Sequence, residues 1–445
     1  MSDNTSKAPN GVLDRFFGLT RKNTSVKTEV LAGLTTFLAM AYIIFVVPSM
    51  LTAAGIPHDA AVAAALWSTA LCTIAMGLFA NLPVGVAPGM GLTAFFSFYV
   101  CGTLQLPWQT ALGAVFISGI VFFILTITKL RQLIIDSVPM SLKSAVVVGI
   151  GMFIAFIGMQ SSELIVADKS TKVALGDLTN LKVLLTVLGV LLIGVLLALK
   201  VRGAMLIGIL AIVALGMILG VAPVPTKVSD VISLEIPHFG ETFMAMDLVG
   251  AFHYGLVSII FTFTVVELFD NIGTLIGVGK AAGLMDDKGH IENIDRALLT
   301  DSCGTMVSAV MGTCTVTSYI ESTAGANAGG RTGLTAITVG VLFLLAFIFS
   351  PLAALIPSFA TAPALIIVGA MMMRNVVDIK FNDFTDAVPA FLTIAMMPLT
   401  YSIANGFGFG FASYCILKCA TGKGKEISPI MWIVSIIFMI SFVIR

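Results

Sequence analysis

The stretch TSYIESTAGANAGGRTG, Thr317 to Gly333, decides how the rest of this sequence folds. It lies between apolar runs long enough to cross a bilayer, yet it carries Glu321, Arg331 and several glycines. Glycine weakens a helix, and irregular backbone at membrane depth is stable only where protein or a water-filled cavity satisfies its polar groups. We therefore expect an interrupted span that faces a polar interior.

The composition places the whole chain in a membrane. Of its 445 residues, 58% are hydrophobic and only 11% are charged, whereas a soluble domain carries roughly a quarter charged residues. Charge-free runs such as 183–199 and 337–349 recur along the chain, which is typical of a polytopic helical membrane protein. The short alternating segments of a membrane barrel are absent from the sequence. The predicted fold class is therefore all-α.

The apolar runs predict fourteen transmembrane spans. Basic residues precede the first span and recur on the same side of the later ones, which places the N-terminus in the cytoplasm. We therefore expect a multi-pass protein of the cytoplasmic (inner) membrane. A further apolar segment at 428–444 either crosses the membrane or lies at its surface. The predicted spans are 30–50, 60–80, 84–104, 108–128, 142–166, 182–200, 203–222, 248–278, 297–313, 315–330, 334–356, 361–374, 385–400 and 402–418.

A weak internal repeat divides the chain into halves. The segment EVLAG from Glu29 resembles DLVGA from Asp247, 218 residues later. At the same offset, VPMSLKSAVVVGIG, with Pro139, resembles IPSFATAPALIIVG, with Pro357. Two matches at one offset indicate duplicated halves. Because seven spans per half is an odd number, the second half must be inverted, an arrangement characteristic of secondary transporters.

The third span is the expected partner of the opening stretch. It reads LPVGVAPGMGLTAFFSF, in which prolines and glycines interrupt the helix. Two interrupted spans at corresponding places predict a binding site between them. A half-helix beginning near Thr93 or near Arg331 would aim free N–H groups at that centre, and Gly325 lies in the second break. The alternative is that these glycines only allow close helix packing.

Carboxylates in the eighth and tenth spans are the candidate ligands of that site. The eighth span contains IIFTFTVVELFDNIGTLIG, in which Glu267, Asp270 and Asn271 share one helix face. An ionisable residue at this depth costs roughly 2.5–3.5 kcal/mol. Either it forms a structural ion pair, with Arg331 as the available partner, or Asp270 and Glu321 face each other and bind a polar, planar or cationic solute.

The functional alternative has a specific chemistry. A carboxylate accepts two hydrogen bonds side by side and so matches adjacent N–H donors on a heterocycle. Partial desolvation favours the protonated acid, which gives Asp270, Glu321 and Glu267 a route to proton coupling. Phe95, beside the first break, is a candidate to stack on an aromatic base, although such a residue is more often part of a core.

Other kinds of chemistry find no support in the sequence. The four histidines are isolated and no HExxH motif appears, so metal-dependent proteolysis is not indicated. There is no GxxxxGK[ST] loop for ATP and no recognisable nucleophile–base pair. The formal net charge is zero, so nothing points to nucleic acid. We predict no enzyme, no cofactor and no metal.

These stretches resemble the AzgA-like purine permeases of the nucleobase–ascorbate transporter superfamily, nearly end to end. The matching segments are AGLTTFLAMAYIIFV in the first span, ANLPVGVAPGMGLTAFF in the third, LFDNIGTLIGV in the eighth, and SYIES with GGRTGLTA around the tenth. The resemblance implies proton-coupled import of adenine, hypoxanthine or guanine, with the substrate acids at Asp270 and Glu321. Where the family's third span often has Asn, this chain has Thr93, a single hydroxyl in place of an amide.

The resemblance also implies an architecture. Spans 1–4 and 8–11 of two inverted seven-helix repeats would form a core domain, and spans 5–7 and 12–14 a gate domain through which the superfamily commonly forms homodimers. The implied division is a cytoplasmic segment (1–27), core (28–130), gate (131–224), an extracytoplasmic loop (225–247), core (248–357), gate (358–420) and a C-terminal apolar segment (421–445).

A second hypothesis keeps this architecture but changes the substrate. An anion transporter or channel-like protein would bind through helix dipoles, with Arg331 as the counter-charge. Two acids near the site speak against it, because they would repel an anion.

Overall fold

The computed structural model describes residues 11–235, 237–253, 257–286 and 290–443. Its helices in the first half are α1 (Val12–Phe17), α2 (Val26–Met40), α3 (Ile43–Ala53), α4 (His58–Ala75), α5 (Met90–Ala94), α6 (Trp108–Ile127), α7 (Leu130–Ser137), α8 (Met140–Ser161), α9 (Leu181–Ala198) and α10 (Ala204–Ile218). Those of the second half are α11 (Leu248–His253), α12 (Val257–Ala281), α13 (Ile294–Met311), α14 (Ser322–Asn327), α15 (Gly333–Leu345), α16 (Ser350–Ala354), α17 (Ser358–Met372), α18 (Phe384–Leu399), α19 (Ile403–Ala420) and α20 (Pro429–Val443). Short strands are β1 (Val86–Pro88), β2 (Ile165–Asp168), β3 (Lys172–Leu175) and β4 (Val316–Ser318).

The all-helical membrane class is confirmed. Within the described ranges, eight helices are long and apolar enough to cross a bilayer, and shorter apolar helices follow several of the other predicted spans. The number of fourteen crossings stays a prediction. Polar caps mark where some of these helices begin: the side chains of Ser25, Asn180, Asp383 and Ser402 accept hydrogen bonds from first-turn N–H groups.

The fifth predicted span differs from the structure at its end. We expected it to reach residue 166, but α8 ends at Ser161, and β2 pairs with β3 as an antiparallel hairpin. The prediction included Ile165 and Val166 because they are apolar, but the polar residues 160–163 separate them from the hydrophobic run, so the sequence itself marks the boundary near Ser161.

The C-terminal apolar segment forms α20, which packs against both α19 and α12. Phe438 stacks on Phe407 with ring centroids 5.6 Å apart and meets Phe261 edge to face at 5.4 Å. The segment is therefore fixed to the rest of the fold along its length, whichever way it lies in the bilayer.

The predicted third and tenth spans each begin with a short strand, β1 or β4, and the two strands pair; that these segments are broken membrane crossings stays a prediction. Val86 lies opposite Ser318 and Pro88 opposite Val316 in an antiparallel ladder. Beyond the ladder, the N–H of Gly89 donates to the carbonyl of Thr315 at 2.9 Å. Each interrupted segment thus satisfies the backbone polar groups of the other in a place without bulk water.

Equivalent positions of the two halves meet a second time, between α8 and α17. Each helix begins directly after a proline, Pro139 or Pro357, and Gly151 and Gly369 lie at the same distance along them. A Cβ atom on Gly151 would lie 2.9 Å from the carbonyl oxygen of Gly369, and one on Gly369 would meet the carbonyl oxygen of Gly151. A reciprocal contact of this kind is what two-fold related halves produce, so the offset of 218 residues marks real structural repeats.

Candidate functional site

A cavity of about 430 Å³ lies beside the strand pair. One wall carries polar groups from α12 and β4, including Asp270 and Thr317, together with Glu321 at the start of α14. The opposite wall is apolar and comes from α8 and α17, with Ile150 and Met371 among its residues. A cavity of this volume, apolar on one side with a few convergent polar groups, has the character of a small-molecule site.

Glu321 is held in place by a residue from the first span. It occupies the N-cap position of α14 without a side-chain capping bond, and the hydroxyl of Tyr42 donates to its Oε1 at 2.6 Å. Tyr42 lies in the short turn that separates α2 from α3 and is fully buried. A charge-assisted bond of this kind fixes the direction of the carboxylate.

The sequence predicts that Asp270 and Glu321 meet at one site, and both side chains line the cavity. In the described part of the chain, neither carboxylate has a Lys, Arg or His within ion-pair distance. The structural alternative, an ion pair with Arg331, is therefore wrong for both acids.

Among the residues that the structure describes, the guanidinium of Arg331 binds backbone carbonyl groups and not a carboxylate. Its Nη1 donates to the carbonyl oxygens of Ala326, at 2.5 Å, and Gly330, at 2.8 Å. These carbonyls close the C-terminal end of α14, where a cation is favoured. The arginine thus compensates the broken helix and does not line the cavity.

The prediction that a half-helix begins near Arg331 and points at the site is wrong. The helix that starts beside the cavity is α14, directly after Glu321. The start of α15 is capped instead by Thr332, whose hydroxyl accepts from the N–H of Leu334. Buried Glu29 of α2 holds the residues just before this helix, because it accepts from the N–H groups of Arg331 at 2.9 Å and Thr332 at 3.2 Å. In the first half, a half-helix is predicted to begin near Thr93. This prediction is closer to the structure, because α5 starts at Met90 and its first residues line the cavity.

Glu267 and Asn271 lie behind the cavity wall. Both side chains are fully buried and neither lines the cavity. Glu267 Oε1 accepts from the hydroxyl of Thr305 at 2.5 Å, and Asn271 Oδ1 accepts from the N–H of Ser318 at 2.7 Å. Asn271 therefore positions β4, and its contact with a substrate stays a prediction that this geometry does not support.

Thr93, Phe95 and Gly325 are also placed outside the cavity lining. Thr93 is fully buried, and Phe95 stacks on Tyr99 with ring centroids 5.1 Å apart. Gly325 packs against α2, where an added Cβ would lie 2.6 Å from the carbonyl oxygen of Ala32. The close-packing alternative accounts for this glycine; the binding roles of all three residues stay predictions.

Two polar residues at the site were missed from the sequence. Tyr42 lies in the apolar segment AMAYIIFV, where a phenol is easily taken for a packing residue. Asp301 lies in the middle of α13, fully buried, and its Oδ2 accepts from the hydroxyl of Ser318 at 2.9 Å. Asp301 lies within the ninth predicted span, so the reasoning that selected Asp270, the cost of an acid at membrane depth, could also have selected Asp301 from the sequence.

Comparison with known proteins agrees with this architecture. The Permease family model matches residues 27–409. The chain is 43% identical to the adenine permease AdeQ of Escherichia coli, over 100% of this chain and 99% of that one. It is 44% identical to the guanine/hypoxanthine permease PbuG of Bacillus subtilis, over 96% and 99%. The transmembrane domain of the cyanobacterium bicarbonate transporter BicA has the same fold, with a TM-score of 0.64 at 15% identity over 86% of this chain and 97% of that one.

A match over most of the chain and relatives above 40% identity show the family. The inverted-repeat fold expected from the 218-residue offset is that of its solved neighbours. This chain is a member of the AzgA-like purine permease family of the nucleobase–ascorbate transporter superfamily.

Proposed function

We propose that this protein is a secondary active transporter that imports a purine nucleobase, adenine, hypoxanthine or guanine, together with protons across the cytoplasmic membrane. The observation that carries the proposal is the cavity in which Asp270 and Glu321 converge without a cationic partner in the described chain. The names of the relatives AdeQ and PbuG support the same substrate class.

The two walls of the cavity match the two surfaces of a purine. The ring edge of guanine carries adjacent N–H groups that a carboxylate can accept side by side, and adenine and hypoxanthine carry separate N–H donors that it can also accept. The flat ring faces are apolar and suit the side chains of Ile150, Ile154 and Met371 on the opposite wall. Glu321, which is oriented by Tyr42, is proposed to bind the ring edge.

Proton coupling follows from the same carboxylates. An acid that is partly desolvated in a largely apolar cavity is stabilised in its neutral form, and binding of a donor-rich base favours its charged form. Asp270 and Glu321, with Glu267 behind the wall, are therefore proposed to exchange a proton in step with the substrate. We place the N-terminus in the cytoplasm, because Arg15, Arg21, Lys22 and Lys27 precede the first span.

The anion hypothesis loses its proposed counter-charge in this geometry. Arg331 is bonded to the carbonyls of Ala326 and Gly330 and lies outside the cavity. The cation that does line the cavity is Arg374, an exposed residue after the end of α17, beside Asn375. We propose that it marks the cytoplasmic mouth of the cavity.

The test is uptake of radiolabelled purine in cells without their own purine uptake systems. Asp270→Ala and Glu321→Ala are each expected to reduce uptake to background while the protein still reaches the membrane, and a protonophore is expected to abolish wild-type uptake. Asp59→Ala, which removes an exposed acid at the start of α4, is the matched control and should keep uptake. Retained uptake in both cavity variants would refute the site.

The same assay separates the two substrate classes. Unlabelled adenine, hypoxanthine and guanine are added in turn as competitors, and bicarbonate and sulfate serve as anion competitors. Competition by a purine alone supports the proposal. Absence of purine uptake, together with uptake of radiolabelled bicarbonate or sulfate by the same cells, would establish the anion hypothesis instead.

A further inference from the structure

A second cavity, of about 890 Å³, lies on the outer face of the molecule between α4 and α13. It shares no lining residue with the carboxylate cavity. Its walls are side chains that face the bilayer: Phe79 is 67% exposed and Val307 39%, and Leu71 and Leu78 are also exposed. We call this cavity the α4–α13 groove.

The lining of the groove is mostly apolar but becomes polar at one end. Its lining there consists of Asn81, which follows α4, and Asn293 and Arg296 at the start of α13. This is the end at which the N-terminal segment lies, because Asn81 Nδ2 donates to the carbonyl of Phe17 at 3.0 Å. The apolar part of the groove thus runs into the membrane from an end that the basic residues place at the cytoplasmic side.

Arg296 carries a charge that its neighbours do not compensate. The nearby acids Glu292 and Asp295 are paired with Arg21 and Arg131. Arg296 is exposed, and no acid among the described residues lies within ion-pair distance of it. A cation at the interfacial end of an apolar groove is complementary to a phosphate that is joined to a hydrocarbon chain.

The depth of this end also fits a lipid headgroup. Helix α1 exposes Val12, Leu13 and Phe16, and Phe16 lines the groove. A short helix with exposed apolar side chains and a neighbouring Arg15 is suited to lie in the membrane interface. The headgroup region is therefore at the level of α1 and Arg296.

We propose that the α4–α13 groove binds an anionic phospholipid of the cytoplasmic leaflet, with an acyl chain along α4 and α13 and the phosphate on Arg296. Asn81 takes no part, because its amide already accepts from Gly333 and donates to Phe17. One arginine near a membrane surface gives about a fivefold preference for an anionic over a zwitterionic lipid.

The first test counts bound lipids. Purified full-length protein in neutral detergent is titrated with phosphatidylglycerol or phosphatidylcholine and examined by native mass spectrometry. We expect wild type to prefer phosphatidylglycerol about fivefold, Arg296→Gln to lose the preference, and Arg202→Gln, which removes an exposed arginine between α9 and α10, to keep it. Equal binding of both lipids by wild type, or an unchanged preference in Arg296→Gln, would overturn the proposal.

A second test uses the unaltered chain. Cys303 is exposed and lines the groove, whereas Cys419 is exposed on α19 and serves as an internal control. Phosphatidylglycerol is expected to slow maleimide labelling of Cys303 and to leave Cys419 unchanged. Equal effects on both cysteines, or cross-linking of Cys303 between two copies of the chain in place of lipid protection, would contradict a lipid site.

Discussion

Glu321 shows how a single side chain in the cavity depends on a distant part of the sequence. Its Oε1 accepts a hydrogen bond from the hydroxyl of Tyr42. Because this bond fixes the orientation of the carboxylate, it also sets the direction of the other carboxylate oxygen. The donor is 279 residues away along the chain. Tyr42 is therefore a positioning residue for the proposed ligand.

Removing the Tyr42 hydroxyl tests this role. In Tyr42→Phe the ring still fills its buried position, but Glu321 loses a bond worth about 1.5–3 kcal/mol, as is typical of hydrogen bonds to charged groups. We expect the KM for purine uptake to rise about tenfold or more, with the amount of protein in the membrane unchanged.

Tyr401→Phe is the matched control for this substitution. The Tyr401 ring packs against Phe153 and Phe156, with centroids 5.6 and 6.0 Å away, and lies outside the cavity lining. It should keep the wild-type KM. An unchanged KM in Tyr42→Phe would show that the Tyr42–Glu321 bond does not orient the binding carboxylate.

At the scale of the elements, the crossing of α8 and α17 is a tight constraint. Small residues let membrane helices approach closely, so that packing and weak polar contacts hold them together without a hydrophobic driving force. Here Gly151 and Gly369 bring the two backbones together at equivalent positions of the repeats.

Adding one methyl group at this crossing should be costly. In Gly369→Ala the new Cβ would meet the carbonyl oxygen of Gly151 and lie 2.7 Å from the Cβ of Ala155. Because backbone atoms cannot move aside cheaply, we expect a loss of about 1–3 kcal/mol in the free energy of unfolding. The measurement is the thermal unfolding midpoint of the purified protein, which should fall.

The same substitution at Gly194 provides the comparison. This glycine lies within α9, and an added Cβ would have nothing within 4 Å. Alanine is also the better helix former by up to about 1 kcal/mol, so the midpoint should hold or rise. Similar midpoints for the two variants would argue against a close crossing of α8 and α17.

At the scale of the whole molecule, the cavity lies between two groups of packed helices. One contains α2, α4, α6, α12, α13, α14 and α15, and the other contains α8, α17, α18 and α19. The cavity is lined by α12 from the first group and by α8 and α17 from the second. We propose that these groups are the core and gate domains implied by the sequence resemblance, and that transport moves one against the other. A covalent link between them should then stop transport.

A pair of cysteines can make that link. A Cβ on Gly91 of α5 would lie 4.0 Å from the Cβ of Ile150 of α8, within the range that a disulfide spans. Because Gly91 and Ile150 both line the cavity, we expect the reduced Gly91→Cys, Ile150→Cys variant to transport with a raised KM. Oxidation should abolish this remaining uptake and reduction should restore it, while each single variant is insensitive to the oxidant.

A control pair lies wholly within the proposed gate. A Cβ on Gly208 of α10 would lie 3.5 Å from the Cβ of Ile193 of α9, and the same Gly→Cys and Ile→Cys changes apply. Oxidation should cross-link this pair without loss of uptake. If the first pair cross-links and uptake continues, the two groups do not need to move apart.

Much of this protein is determined by the sequence alone, because the bilayer restricts what a chain can do. Long apolar runs must form helices, and an odd number of spans per repeat must invert the second half. An acid at membrane depth costs free energy and is therefore expected to have a function, and this argument selected Asp270 and Glu321. These inferences depend only on composition, spacing and the cost of burying charge.

Only the tertiary structure decided which polar groups meet. Hydropathy cannot tell that Glu29 binds the N–H groups of Arg331 and Thr332, or that Tyr42 reaches Glu321, because these contacts join residues hundreds of positions apart. It likewise cannot separate Asp270, which lines the cavity, from Asn271, which holds β4, since adjacent residues on a helix point about 100° apart. Partners and direction are properties of packing, and the packing is set by both halves of the chain together.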